Sequence, residues 1–339
     1  MRRLFLLIFL LPVLSMAQSE KEYLKRANKQ LDSGKFREAE PLYTAAININ
    51  PKLEEALLKR GIARIGINDI QGAKTDLKTV ISLDPKSARA YEELARIDKN
   101  SAVADLDHWI ALKPKNITAY QRRAMAKYQN KDYKGAIADN DTVITLDSKN
   151  ASAYAFRAQA KGDLMDYDGA ITDYKMAASL EKKFPWIYYN DIGIMELGMK
   201  DYKDAIYFYS KAINLKPEPG FYSNRGLVRI SIGDYRNAVE DFTAAMNGPQ
   251  GFNKFNYDLS QARNYKNRGD AKKLGGDYKG AIADYNEALN LDATYKEALT
   301  ERANAKYHEG DKTGACDDWA MADRLGYHPA RDSLAKFCK

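Results

Sequence analysis

Residues that bind metals or shuttle electrons are nearly missing from this chain. Three histidines (His108, His308, His328) and two cysteines (Cys316, Cys338) occur in 339 residues. None falls in an HExxH, CxxC or related ligand spacing. No G-x-S-x-G elbow and no glycine-rich phosphate loop is present, and neither cysteine has a histidine arranged with an orienting third group. The chain is therefore expected to use no metal and no cofactor, and not to be an enzyme. Charge of one sign is also scarce in blocks. The formal net charge is +7, of which Arg2 and Arg3 supply two, and basic and acidic residues alternate along the whole length. A nucleic-acid partner needs a continuous basic stripe, so none is expected.

Long apolar runs are lacking too, except at the start. Arg2 and Arg3 precede an apolar stretch from Leu4 to Leu14, interrupted by Pro12, and Ser15-Met16-Ala17 follow. This order is that of a secretory signal peptide over 1–17, with cleavage expected after Ala17 to leave Gln18 first. The stretch is short for a membrane-spanning helix, which needs about 20 apolar residues. No cysteine follows the site, which argues against a lipid anchor. The mature chain is expected to be exported, to the periplasm or beyond, without a transmembrane segment.

What is present is repetition. The segments at 131–147, 165–180, 233–247 and 276–292 nearly superimpose, and nine units begin near Glu20, Glu54, Ala88, Ile117, Ala151, Trp186, Pro219, Ala262 and Lys296, most often 34 residues apart. With positions numbered 1 to 34 within a unit, position 8 is always Ala or Gly and position 20 always Ala. Two helices approach closely only where side chains are small, so these mark the crossing points of a helical hairpin. Position 4 is usually Tyr. Position 24 is large in eight units (for example Tyr43, Tyr209, Phe242, Tyr285, Trp319), with Asn140 the exception. These positions absorb much of the aromatic content as packing. Gly at position 15 (Gly34, Gly233, Gly276, Gly310) suits the left-handed residue after a helix. Asp at position 16 (for example Asp69, Asp132, Asp277) suits a cap on the next one.

Period and small-residue pattern together resemble the tetratricopeptide repeat (TPR) family. The resemblance covers residues 18–339 and implies an all-α, right-handed α-solenoid of about nine hairpins, with a C-terminal capping helix over 328–339. Six units depart from the family pattern, carrying Arg at position 7 and Asp at position 23: Arg60 with Asp76, Arg123 with Asp139, Arg157 with Asp173, Arg225 with Asp241, Arg268 with Asp284, and Arg302 with Asp318. In a hairpin turning at position 15 these positions lie level, so an ion pair is expected inside each unit, with a structural role. The third unit is short: Pro85 to Pro114 spans 29 residues. An insertion at 248–257, containing Phe252 and Phe255, precedes the eighth. It is read as a contact loop, as a segment packed back on the array, or as part of a lengthened helix. Cys316 and Cys338 flank a loop centred on Tyr327 and are expected to lie level and form a disulfide, as suits an oxidising compartment.

The resemblance implies that ligands lie on the concave face made by first-helix positions 2, 5, 9, 12 and 13. There this chain has Gln121, Met125 and Tyr128, Asn190 and Ile194, Leu227, and Arg263, with Asn224 beside them at position 6. Such a lining suits an extended peptide or an amphipathic helix. One subclass of the family clamps a C-terminal carboxylate with Lys, Asn and basic residues at set positions. Here Asn190, Ile194 and Asn267 stand where three of those are required, which argues against a clamp. The expected function is an exported scaffold or adaptor for a protein or peptide partner. The alternatives are an envelope glycan- or solute-binding module, or a non-catalytic subunit of an enzyme complex.

Overall fold

The computed structural model describes residues 19–98, 102–247 and 254–338. The expected signal segment at 1–17, and Phe252 with the rest of 248–253, lie outside the described residues, as does the side chain of Phe255. Among the described residues there are 19 helices and no strand. They fall into two compact units that divide at Ala160. The first holds α1 (19–32), α2 (Phe36–Ile49), α3 (Glu54–Gly66), α4 (Ile70–Leu83), α5 (Ala88–Ile97), α6 (Ala102–Leu112), α7 (Ile117–Gln129), α8 (Tyr133–Leu146) and most of α9 (Ala151–Asp163). The second holds α10 (Tyr167–Leu180), α11 (Pro185–Gly198), α12 (Tyr202–Leu215), α13 (Pro219–Ser231), α14 (Tyr235–Asn247), α15 (Lys254–Leu274), α16 (Tyr278–Leu291), α17 (Lys296–His308), α18 (Lys312–Arg324) and α19 (His328–Phe337). From α2 to α8 in the first unit, and from α10 to α19 in the second, each helix packs on its neighbours in sequence. This is the all-α helical-repeat solenoid class.

One residue sets each tight turn. In the second repeat the Asp69 N–H donates to Arg64 O, closing α3, while its carboxylate accepts from the Gly72 N–H and opens α4. Asp132, Asp166, Asp277 and Asp311 do the same. The residue before each of these aspartates sits in the left-handed region. It is Gly276 or Gly310 in the late repeats but Asn68, Lys131 and Met165 in earlier ones. A side chain there costs on the order of 1–2 kcal/mol, which the paired helix ends on either side over-determine.

The hairpin cores form where the small positions predict. Ala39, Ala73, Ala205, Ala238, Ala281 and Ala315 are all buried, and the large side chain at position 24 fills the space beside them; Ala136 is buried too, opposite the smaller Asn140. At Gly226 a Cβ would come within 2.9 Å of the Phe242 ring, so only glycine lets α13 and α14 approach this closely. The short third repeat has a 10-residue first helix, α5, against 13 in α3 and α7. The insertion before the eighth continues into α15, whose 21 residues begin at Lys254.

At the C-terminus α19 covers the apolar side of α18, with Phe337 stacked on Trp319. Cys316 and Cys338 are bonded to each other, 22 residues apart in sequence. Closing a loop of that length lowers the entropy of the unfolded chain by the equivalent of about 3 kcal/mol. Cys338→Ser is therefore expected to loosen α18 and α19 selectively. Amide exchange should accelerate there and stay unchanged in α10 to α14; uniform protection across both regions would contradict this.

Candidate functional site

The charged positions come together in a repeated pattern. Arg60 donates through Nε and Nη2 to both oxygens of Asp76, at 2.9 and 2.7 Å. Arg123 meets Asp139, Arg225 meets Asp241, Arg268 meets Asp284 and Arg302 meets Asp318 with the same fork. Within the first unit Arg157 also binds Asp141, and within the second Asp173 also receives Lys161. Each position-23 aspartate of the five forks is 2–6% exposed, so these pairs are nearly buried rather than surface ones.

Two further partners went unread in the sequence. Position 11 supplies a second cation to the same carboxylate: Arg64 to Asp76, Lys127 to Asp139, Arg229 to Asp241, Lys272 to Asp284 and Lys306 to Asp318, all within 3.0 Å. The third arm of each fork arginine reaches back to position 25 of the preceding repeat, at Thr44, Asp107, Ser210, Thr243 and Asn286. Three of the fork guanidiniums, those of Arg123, Arg225 and Arg268, also lie over the position-4 tyrosine ring, as does that of Arg157. The column at position 11 was the available signal, since it is basic in the units that carry the pair. These groups bind one another and tie neighbouring repeats together.

The sixth repeat replaces this set with Ile192, Glu196 and Phe208. Glu196 is buried, and burial together with the charges of Asp204 and Asp201 pushes its carboxyl above the usual range. The carboxylates of Glu196, Asp201 and Asp204 come within 4.8 Å of one another. Asp201 is already occupied as the cap of α12. On the same helix as Glu196, burial raises Asp191 to about 6, opposed by a hydrogen bond from Asn190. A carboxyl raised in the fold binds its proton more tightly there than in the unfolded chain, whose ordinary value is 3.8. Its stabilising effect is full below that value and is lost as pH rises through about 6. Asp191→Asn should therefore raise the unfolding midpoint at pH 7 and flatten its decline between pH 4 and 6. Parallel midpoint curves for variant and parent would refute this.

The expected binding positions lie on first helices in both units. In the first unit Gln121 donates to Asn150, bridging α7 towards α9, and Tyr128 meets Tyr133 edge-on. In the second, Asn224 on α13 donates to Asn190 on α11, and Ser223 donates to Asn264 on α15. Asn224, the one asparagine that matches a carboxylate clamp, is thus bonded to Asn190, which stands where the clamp needs lysine. The large apolar residues remain open: Met125 is 49% exposed, Ile187 47%, Ile194 42% and Leu227 43%. Arg263 is exposed on α15. Polar side chains on this face bond sideways between repeats, and apolar ones face outward. Among the described residues, no helix is long and apolar enough to cross a membrane.

Residues 262–295 match the family model for the tetratricopeptide repeat. A stretch of 83 residues, 24% of this chain, is 35% identical to RNA polymerase II-associated protein 3 of Xenopus tropicalis and 34% identical to that of Xenopus laevis. The chain spans 13% of the length of these relatives. Among solved structures it is similar to the C-terminal part of a TPR repeat-containing protein from Cytophaga hutchinsonii, at 20% identity and TM-score 0.60, over 73% of this chain and 99% of that one. A tetratricopeptide repeat protein from Parabacteroides merdae gives 20% identity and TM-score 0.51, over 76% and 98%. The Cut9–Hcn1 hetero-tetramer of the APC/C gives 18% identity and TM-score 0.52, over 90% and 59%. These likenesses show the fold, and with the match at 262–295 they support the tetratricopeptide reading of the repeat.

Proposed function

We propose that this chain is an exported scaffold or adaptor that holds a protein partner along its first-helix faces. The observation that carries this reading is the exposed apolar set at Met125, Ile187, Ile194 and Leu227. Each lies at a first-helix position, where the polar neighbours are already bonded to one another. Large apolar side chains left exposed on a helix face of either unit mark an interaction surface there. The buried ion pairs account for the clustered charge as structure. An amphipathic helix or extended peptide meets such a lining through a few apolar anchors. Export is supported by the signal-like order of residues 1–17 and by a disulfide that suits an oxidising compartment.

Leu227→Glu is expected to weaken partner capture at least tenfold, because it places a charge where an apolar anchor docks. Tyr207→Glu, on an exposed second-helix position, should leave capture unchanged. Equal capture by both variants and the parent would refute the reading. Export has its own test: N-terminal sequencing of the protein from the periplasmic or medium fraction should begin at Gln18. A chain retained inside the cell with its first 17 residues intact would contradict it.

A further inference from the structure

In eight repeats the chain fills its own position-24 space, and where the filling ring carries a donor it can point outward to position 9. Tyr43 donates to Asn28, Tyr285 to Asp270 and Trp319 to Asn304, each partner lying on the first helix. The fourth repeat reverses this polarity. Its position 24 is Asn140, 1% exposed, and its position 9 is Met125, which offers no acceptor for a ring donor. The Asn140 Nδ2 donates to Ala136 O at 2.9 Å, which fixes the amide orientation, and the remaining Oδ1 is buried with no hydrogen-bond partner. The space the missing ring would fill is a cavity of about 230 Å³. Met125, Tyr128 and Phe156 form its apolar wall, and Gln129 and Gln159 also line it.

We propose that this cavity is a subsite for an indole ring presented by a partner peptide, with the ring N–H donating to Asn140 Oδ1. The inference rests on the reading of the first-helix face as a protein-binding surface, and it names the anchor. An orphaned buried acceptor costs on the order of 1–3 kcal/mol, and a ring donor entering from outside recovers it. A dry cavity of about 150 Å³ takes benzene, so a space half as large again suits a bicyclic ring. The occupant belongs to a longer molecule because the cavity does not end at its rim. Met125 and Gln129 also border an adjoining depression of about 470 Å³ lined by Arg96 and Arg122. The chain carrying the ring continues past Met125, and an acidic residue next to the tryptophan complements those guanidiniums.

The test uses the full mature chain with indole and 1-methylindole as probes, followed by a short peptide with tryptophan flanked by two glutamates. Calorimetry and protein-observed NMR read the binding. Indole should bind at least tenfold more tightly than 1-methylindole, which lacks the donor, as one recovered buried hydrogen bond predicts. Asn140→Phe, which refills the space with a ring as Tyr43 does in the first repeat, where position 8 is likewise an alanine, Ala27, should abolish binding of both. Asn140→Leu, which keeps space but removes the acceptor, should erase the preference between them. The acidic tryptophan peptide should bind more tightly than indole, and its alanine counterpart should not bind at the cavity. Equal affinity for the two heterocycles, unchanged binding to Asn140→Phe, or a cavity that holds only water would each overturn the proposal. Failure here with Leu227→Glu still losing its partner overturns the subsite alone. Probe binding as described with partner capture indifferent to Leu227→Glu instead overturns the broader reading.

Discussion

Asp284→Ala is expected to cost the eighth repeat about 3–5 kcal/mol, the size seen when one member of a buried ion pair is removed. The reason is asymmetry. Asp284 receives the fork of Arg268 and the ammonium of Lys272, at 2.6–3.0 Å. Removing it leaves two cations on one helix face, a turn apart and mostly out of water, with nothing between them. Their repulsion and their lost hydrogen bonds add to the desolvation already incurred. Glu287→Ala, on the exposed side of the same helix, should fall within about 0.5 kcal/mol of the parent. Replacing the group together, with Arg268→Met, Lys272→Leu and Asp284→Leu, should recover most of the loss, because apolar residues of similar volume often substitute for a buried charge cluster. Stacked repeats unfold unit by unit, so the measurement is amide exchange in α15 and α16 rather than a single melting point. A loss below about 1 kcal/mol for Asp284→Ala would show that these are solvated pairs.

Phe242→Ala should be comparably damaging, at about 3–5 kcal/mol. Phe242 is fully buried between α13 and α14, and truncation leaves a void facing Gly226, which has no side chain to collapse into it. The complementary change, Gly226→Ala, inserts a methyl within 2.9 Å of that ring. Overpacking of this kind costs about 1–3 kcal/mol. The two positions share one space, so their effects should not add. Gly226→Ala with Phe242→Leu should be more stable than the sum of the singles predicts. Strict additivity in a double-mutant cycle would mean that the ring is not what requires glycine here.

Much of this hairpin architecture was legible because it is set by local geometry. Small residues at two fixed positions dictate where helices cross, and an aspartate that ends one helix and caps the next dictates where the chain turns. Arg268 with Asp284 could be read because both sit level in a hairpin whose turn is fixed. Lys272 was missed because a lysine one turn further along an exposed-looking helix carries no pattern of its own. Only comparison of the same position across repeats shows it to be a second ligand of the same carboxylate. The reach of Arg268 to Thr243 was also missed, since it depends on how one hairpin stacks on the last. Asn140 was visible only as an exception. Its orphaned oxygen and the cavity beside it follow from packing in three dimensions. The binding positions were the least legible: Asn190 and Asn224 look like ligand donors in sequence, yet each takes the other as partner.

The most direct measurement is a photo-crosslinking scan in cells that make this chain. A benzophenone side chain is placed in turn at Met125, Ile194 and Leu227 on first helices, and at Tyr207 and Arg236 on second helices, all exposed positions. The account predicts that a discrete protein partner is trapped from the first-helix sites and from neither second-helix site. Capture of that partner from Tyr207 or Arg236 with none from Ile194 or Leu227, or no capture at any site, would contradict it.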